Sequence, residues 1–108
     1  MYQVRIYTVK TPEVANEYFH VHWRRHIASL KKFNIETIAV FKEEKENGET
    51  HVIAICKYED GTDVDAVNKA YMDSEEFKSD MSGFDFNNFC GVTDFTVSID
   101  DYISNRKF

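Results

Sequence analysis

The chain has 108 residues, 43% of them apolar and 30% charged, with one proline and a formal charge of −6. That balance describes one ordinary globular domain with a core of its own, and it excludes a disordered chain. The acidic charge argues against a nucleic-acid or anionic-membrane partner, because the attraction that dominates both has the opposite sign. Arg24, Arg25, Lys31 and Lys32 are the densest basic cluster, and they read as the solvated face of one amphipathic helix. Cys56 and Cys90 form no CxxC, which removes the usual redox and zinc motifs. Met1 runs straight into an alternating strand, and no apolar run approaches membrane-spanning length. A cytoplasmic protein follows as the expectation, with free thiols, Cys56 packed in a strand and Cys90 more exposed in a loop.

Residues 2–9 alternate, with Tyr2, Val4, Ile6 and Thr8 on one side and Gln3, Arg5, Tyr7 and Val9 on the other. Thr11-Pro12-Glu13 is a helix start: Thr caps, Pro fits the first turn and the acid meets the positive helix end. One helix is predicted to about Phe33, with Asn34 as a left-handed stop. Two strands over 36–45 and 50–59 flank Asn47-Gly48, the best short hairpin signal in the chain. After Asp60-Gly61, Thr62 or Asp63 caps a second helix through about Met72, and Ser74 caps a shorter one over 75–81. Residues 82–93 read as irregular, and alternation returns over 94–101.

The order βαββαβ predicts an α+β ferredoxin-like domain over residues 1–101, with a tail over 102–108. Its two helical regions cover one face of a four-stranded antiparallel sheet. Yet both sides of the strands are apolar: Ile38 and Val40 against Ala39 and Phe41, then Ile53 and Ile55 against Val52, Ala54 and Cys56. A face exposed to water reads as polar, so the second face is expected to pack on another copy, giving a homodimer.

Placed at about 100° per residue, Ala15, Tyr18, Phe19, Trp23, Leu30 and Phe33 share one arc of the first helix. His22 and His26 sit near its centre, one helical turn apart. Imidazoles on an apolar face need partners or a cavity, and three readings stay open: structural hydrogen bonding, pocket-lining proton transfer, or metal ligation. A metal needs a third ligand, and no motif such as HExxH supplies one, so no metal and no cofactor are assigned. Tyr18, Trp23, Phe86 and Phe89 are candidate pocket walls. Phe84, Phe86 and Phe89, interleaved with Asn87 and Asn88, form a lid or a plug at the open end of the sheet. Arg5 is expected in a buried ion pair at the dimer interface, or as a substrate clamp.

The opening Tyr2-Gln3-Val4-Arg5-Ile6-Tyr7, then Trp23-Arg24-Arg25-His26, Phe33-Asn34-Ile35 and Tyr71-Met72-Asp73-Ser74-Glu75-Glu76-Phe77, resemble the NIPSNAP family of the dimeric α+β barrel superfamily. The resemblance runs through Ile99. It implies two sheets closed into a barrel across a dimer, with a cavity between helices and sheet in each subunit. Relatives of that fold include cofactor-free monooxygenases, haem-degrading monooxygenases and isomerases. The haem-degrading relatives use an Asn on strand one and a later Trp and His. Here strand one carries Gln3 and Arg5, and the single Trp is Trp23 on helix one.

Three functions remain in play. The first is a cofactor-independent oxygenase- or isomerase-like enzyme for a small apolar or aromatic molecule, with His22 or His26 as base. The second is a non-catalytic ligand-binding or stress-associated dimer. The third is haem or metal binding through the paired histidines.

Overall fold

Alternation in the first strand fixes the plan of the molecule. In β1 (Tyr2–Val9), Gln3, Arg5 and Val9 are buried under the helices, while Val4 and Ile6 face the other way. The computed structural model describes residues 1–98. Its sheet is antiparallel in the order β2-β3-β1-β4, built from β1, β2 (Glu36–Lys42), β3 (Thr50–Lys57) and β4 (Phe89–Val97). Between β1 and β2 run α1 (Pro12–Glu17), a π-helical turn (Tyr18–His22) and α2 (Trp23–Lys31). Between β3 and β4 run α3 (Val64–Met72), α4 (Glu75–Asp80) and a short 3-10 turn (Phe86–Asn88). This is the ferredoxin-like α+β plan. No described helix is long and apolar enough to cross a membrane.

The predicted caps are in place. Thr11 Oγ1 accepts from the Val14 N–H at 3.1 Å, Asp63 Oδ1 from Ala66 at 3.1 Å, and Ser74 Oγ from Phe77 at 3.2 Å. Asn34 ends the first helical region in the left-handed conformation, with φ of 60°.

Three boundaries differ from the expectation. The single helix over 12–33 is interrupted by the π turn, where the Trp23 N–H reaches back five residues to Tyr18 O. The extra residue in that wide turn lets the consecutive His22 and Trp23 both point inward, at 1% exposure each. The hairpin strands stop at Lys42 and Lys57, short of 45 and 59, and Ile38 is a bulge residue between Thr37 and Ala39. The last strand begins at Phe89 rather than 94, because Phe89 to Val92 pair with the end of β1 around a register shift at Thr8/Val9. The predicted strand end over 99–101 and the tail 102–108 lie outside the described residues.

Val9, Val52, Ala54 and Cys56 form the sheet side of the core, and Ala15, Leu30, Ile35 and Tyr71 are among its helix and loop side. The opposite sheet face is apolar, and no described helix covers it. Ile53 pairs with Phe41 and Ile6, and Val4 pairs with Ile55 and Phe95. Phe41 is 53% exposed and Phe95 48%.

Candidate functional site

β4 is the sheet edge beside β1, and the helices do not cover its helix-facing side. Val92 and Asp94, which pair with Tyr7 and Arg5, stay exposed there. The uncovered strip opens a cavity of about 330 Å³ between β1, β4, the π turn with α2, and the α3–α4 pair. That is near the lower end for ligand pockets, room for a molecule of one or two rings. Tyr7, Tyr18, Trp23, Tyr71, Phe77 and Phe89 supply most of its wall, and Arg5, His26, Asn68 and Asp94 are its polar members. Its lining also includes Met72, Phe86 and Val92, more than half exposed, which form an apolar rim. A second hollow of about 350 Å³, lined by residues that include Lys31, Glu36, Lys57 and Glu59, carries opposed charges and no convergent chemistry.

Arg5 reaches the cavity floor because alternation turns it toward the helices. The Arg5 Nε–H donates to Gln3 Oε1 at 2.9 Å, and Nη2 donates to Tyr58 Oη at 2.5 Å and Asn68 Oδ1 at 2.7 Å. Asn68 Nδ2 donates in turn to Gln3 Oε1 at 3.0 Å. Every one of these partners is neutral. Among the described residues, Arg5 forms no ion pair, so the expected interface ion pair is not what this side chain makes. It faces the helices, and the apolar sheet face is on the other side. Burial works against its charge, but Tyr7, Cys56 and Tyr58 hold the guanidinium above its ordinary value, and it stays protonated. Burial likewise raises Tyr7 and Tyr18, so both phenols remain neutral donors beside it. The Trp23 indole N–H is buried, with the Tyr18 hydroxyl its one polar neighbour named among the described residues.

His26 belongs to a second network, centred on Asp80 at the end of α4. Tyr71 Oη donates to Asp80 Oδ2 at 2.5 Å, Ser29 Oγ donates to Oδ1 at 2.9 Å, and His26 Nδ1 contacts the Tyr71 hydroxyl. The order of donors assigns the imidazole proton. Tyr71 gives its hydrogen to the carboxylate, so its oxygen accepts from a protonated Nδ1. That leaves His26 Nε2 as a bare acceptor, without a hydrogen-bond partner among the described residues. Burial lowers the His26 pKa to about 4 against the opposing pull of Asp80, and His22 and Arg5 lower it further. His26 is therefore neutral across physiological pH. Burial and Asp80 together hold Tyr71 above its ordinary range.

His22 is placed differently. Its Nδ1 meets the Asp80 carbonyl at 2.8 Å and its Nε2 meets Glu17 Oε2 at 2.9 Å, and it is absent from the cavity wall. Both ring nitrogens are engaged, Nδ1 tying α4 to the π turn and Nε2 tying the turn to the end of α1. The two histidines thus share a helix but not a site, and a metal held by the pair would have to break those bonds. Arg25 Nη1 also donates to the Asp80 and Ser82 carbonyls, each at 3.2 Å.

Of the residues singled out from the sequence, the cavity brings together Arg5, Tyr18, Trp23, His26, Phe86 and Phe89 and leaves out His22. Sequence reasoning passed over Tyr71, Phe77, Asn68 and Asp80. Tyr71 and Phe77 stand in the segment that carries the family resemblance, which was their only signal. Asp80 had none: nothing local separates it from the exposed Asp73 or Asp85.

Among curated proteins no sequence matches the chain. The model of the NIPSNAP family matches residues 2–87, from β1 into the 3-10 turn ahead of β4, and the chain belongs to that family.

Proposed function

We propose that this protein is a homodimer in which each subunit binds a small apolar or aromatic molecule in the helix–sheet cavity, with His26 as proton acceptor. The single observation that carries the reading is the coexistence, in one aromatic-walled cavity, of a neutral imidazole and the network that orients it. The Asp80–Tyr71 pair presents Nε2 as a lone pair, the arrangement general-base chemistry requires. Such chemistry, oxygenase-like or isomerase-like, would act on a C–H or O–H made acidic by a neighbouring carbonyl or ring. The uncovered apolar sheet face supports the dimer. A second reading, a protein that holds its ligand unchanged, has one observation in its favour: a pKa of about 4 makes the imidazole a weak base while the cavity is empty.

Trp23 is the only tryptophan and lines the cavity, so its emission reports on occupancy. Titration with 4-phenyl-2-butanone is expected to shift that emission in the wild type and not in Val92→Phe, which narrows the mouth. In deuterium oxide, the bound ketone should exchange its acidic C–H protons faster with wild type than with His26→Gln. Binding without exchange selects the second reading. No binding at millimolar probe removes both.

A further inference from the structure

The Arg5 guanidinium has five N–H donors. One on Nε and two on Nη2 go to Gln3, Tyr58 and Asn68, all uncharged. The Tyr7 hydroxyl, also neutral, hydrogen-bonds to the guanidinium as well, so no partner among the described residues brings a compensating charge. A buried charge surrounded only by dipoles is costly to keep unless something of opposite sign completes it. The candidate within the protein, Asp94, stands opposite on β4 and lines the same cavity, but it is exposed and makes no ion pair with Arg5. The cavity floor therefore carries an uncompensated positive charge beneath aromatic walls. One negative charge already stands at the edge.

We propose that the cavity takes its ligand as a monocarboxylate with an apolar or aromatic body, the carboxylate seated against the Arg5 guanidinium where it lines the cavity. This rests on the ligand-binding reading above and names the chemical class. Nε and Nη2 are occupied, so the side-on fork is closed and the carboxylate meets the guanidinium as a charge rather than through a bidentate pair. Asp94 repels a second charge, which favours a monoanion over a dianion. The apolar body then lies along Trp23, Tyr7 and Phe89 toward the Met72–Phe86 rim. Seating the anion has a consequence for the base. Arg5 on β1 and His22 one turn away depress His26, and Asp80 on α4 alone supports it. Tyr71 on α3 is neutral. An anion on Arg5 offsets the guanidinium's depressing effect on His26 and raises the basicity of Nε2 only when ligand is present.

The test compares 4-phenylbutanoate with the isosteric 4-phenylbutanamide on the wild-type protein, following Trp23 emission and the His26 imidazole resonances against pH. The carboxylate is expected to bind at least about tenfold tighter than the amide, the size of one charge-assisted hydrogen bond. It should move the His26 midpoint upward, and the amide should leave it in place. Asp94→Asn is expected to tighten the carboxylate alone, and Arg5→Met to remove the difference between the two probes. Equal affinities with an unmoved His26 midpoint overturn the carboxylate assignment and leave the neutral-ligand reading standing. Failure of both probes overturns both. The wild-type comparison decides the matter even if Arg5→Met does not fold.

Discussion

Acid should unfold this protein partly through His26, and the contribution can be isolated. The imidazole falls from 6.5 in the unfolded chain to about 4 in the folded one. Because the folded value is depressed, the unfolded state binds the proton first as pH drops. Stability is therefore fully present above 6.5 and lost progressively as pH falls through 4. At about 1.4 kcal/mol per pKa unit the full loss is roughly 3 kcal/mol, with most of it gone by pH 4.5. Carboxylates titrate in the same window, so the wild type alone does not answer the question. His26→Gln removes this one titration and leaves the others. Urea unfolding of both proteins at half-unit steps from pH 7.5 to 4.5 gives a difference curve. Its expected form is a variant less stable than wild type at neutral pH, with the gap closing by roughly 2–3 kcal/mol as pH falls. A gap constant over that range would mean that His26 does not titrate as a buried neutral group, and the tautomer assigned to it would fall as well.

Asp80→Asn should cost about 2–4 kcal/mol, because Ser29 and Tyr71 each lose a carboxylate acceptor; calorimetry is expected to show Tm lower by roughly 10–20 °C. Asn34→Ala should cost about 1 kcal/mol in chemical denaturation, since the short polar side chain of asparagine tolerates φ of 60° better than a methyl group does. Light scattering at micromolar concentration should give twice the 12.7 kDa chain mass. Ile53→Glu, on the uncovered sheet face opposite Phe41 and Ile6, should halve that mass with an unchanged circular dichroism spectrum. A wild-type monomer would remove the dimer proposal.

Strand alternation and helix caps made the fold legible, because both are local: Thr11, Asp63 and Ser74 each cap a helix within three residues of themselves. The misplaced start of β4 was not local. Phe89 to Val92 form a strand because β1 offers them an edge, and Gly91 and Cys90 in isolation carry little β-propensity. The π turn was hidden for the same reason. A uniform angle per residue put His22 and His26 on one face, and the face was right. The wide turn and the tertiary partners then separated their roles. His22 meets Glu17 and the Asp80 backbone, whereas His26 meets Tyr71 and the cavity.

What no periodicity could supply is the coupling between networks drawn from distant parts of the chain. Arg5 comes from the first strand and its acceptors from β1, the residue after β3 and α3; His26 comes from α2 and its orienting groups from α3 and α4. Each network is held by α3, through Asn68 in one and Tyr71 in the other, three residues apart on the same helix. The helix that completes the cation's cradle thus also orients the base, and the cavity lies between them. A ligand spanning Arg5 and His26 must fit the spacing that α3 sets. Substitutions that shift α3 without touching either polar group, at the packed Val64 or Val67, should therefore weaken anion binding and alter His26 titration together rather than one at a time.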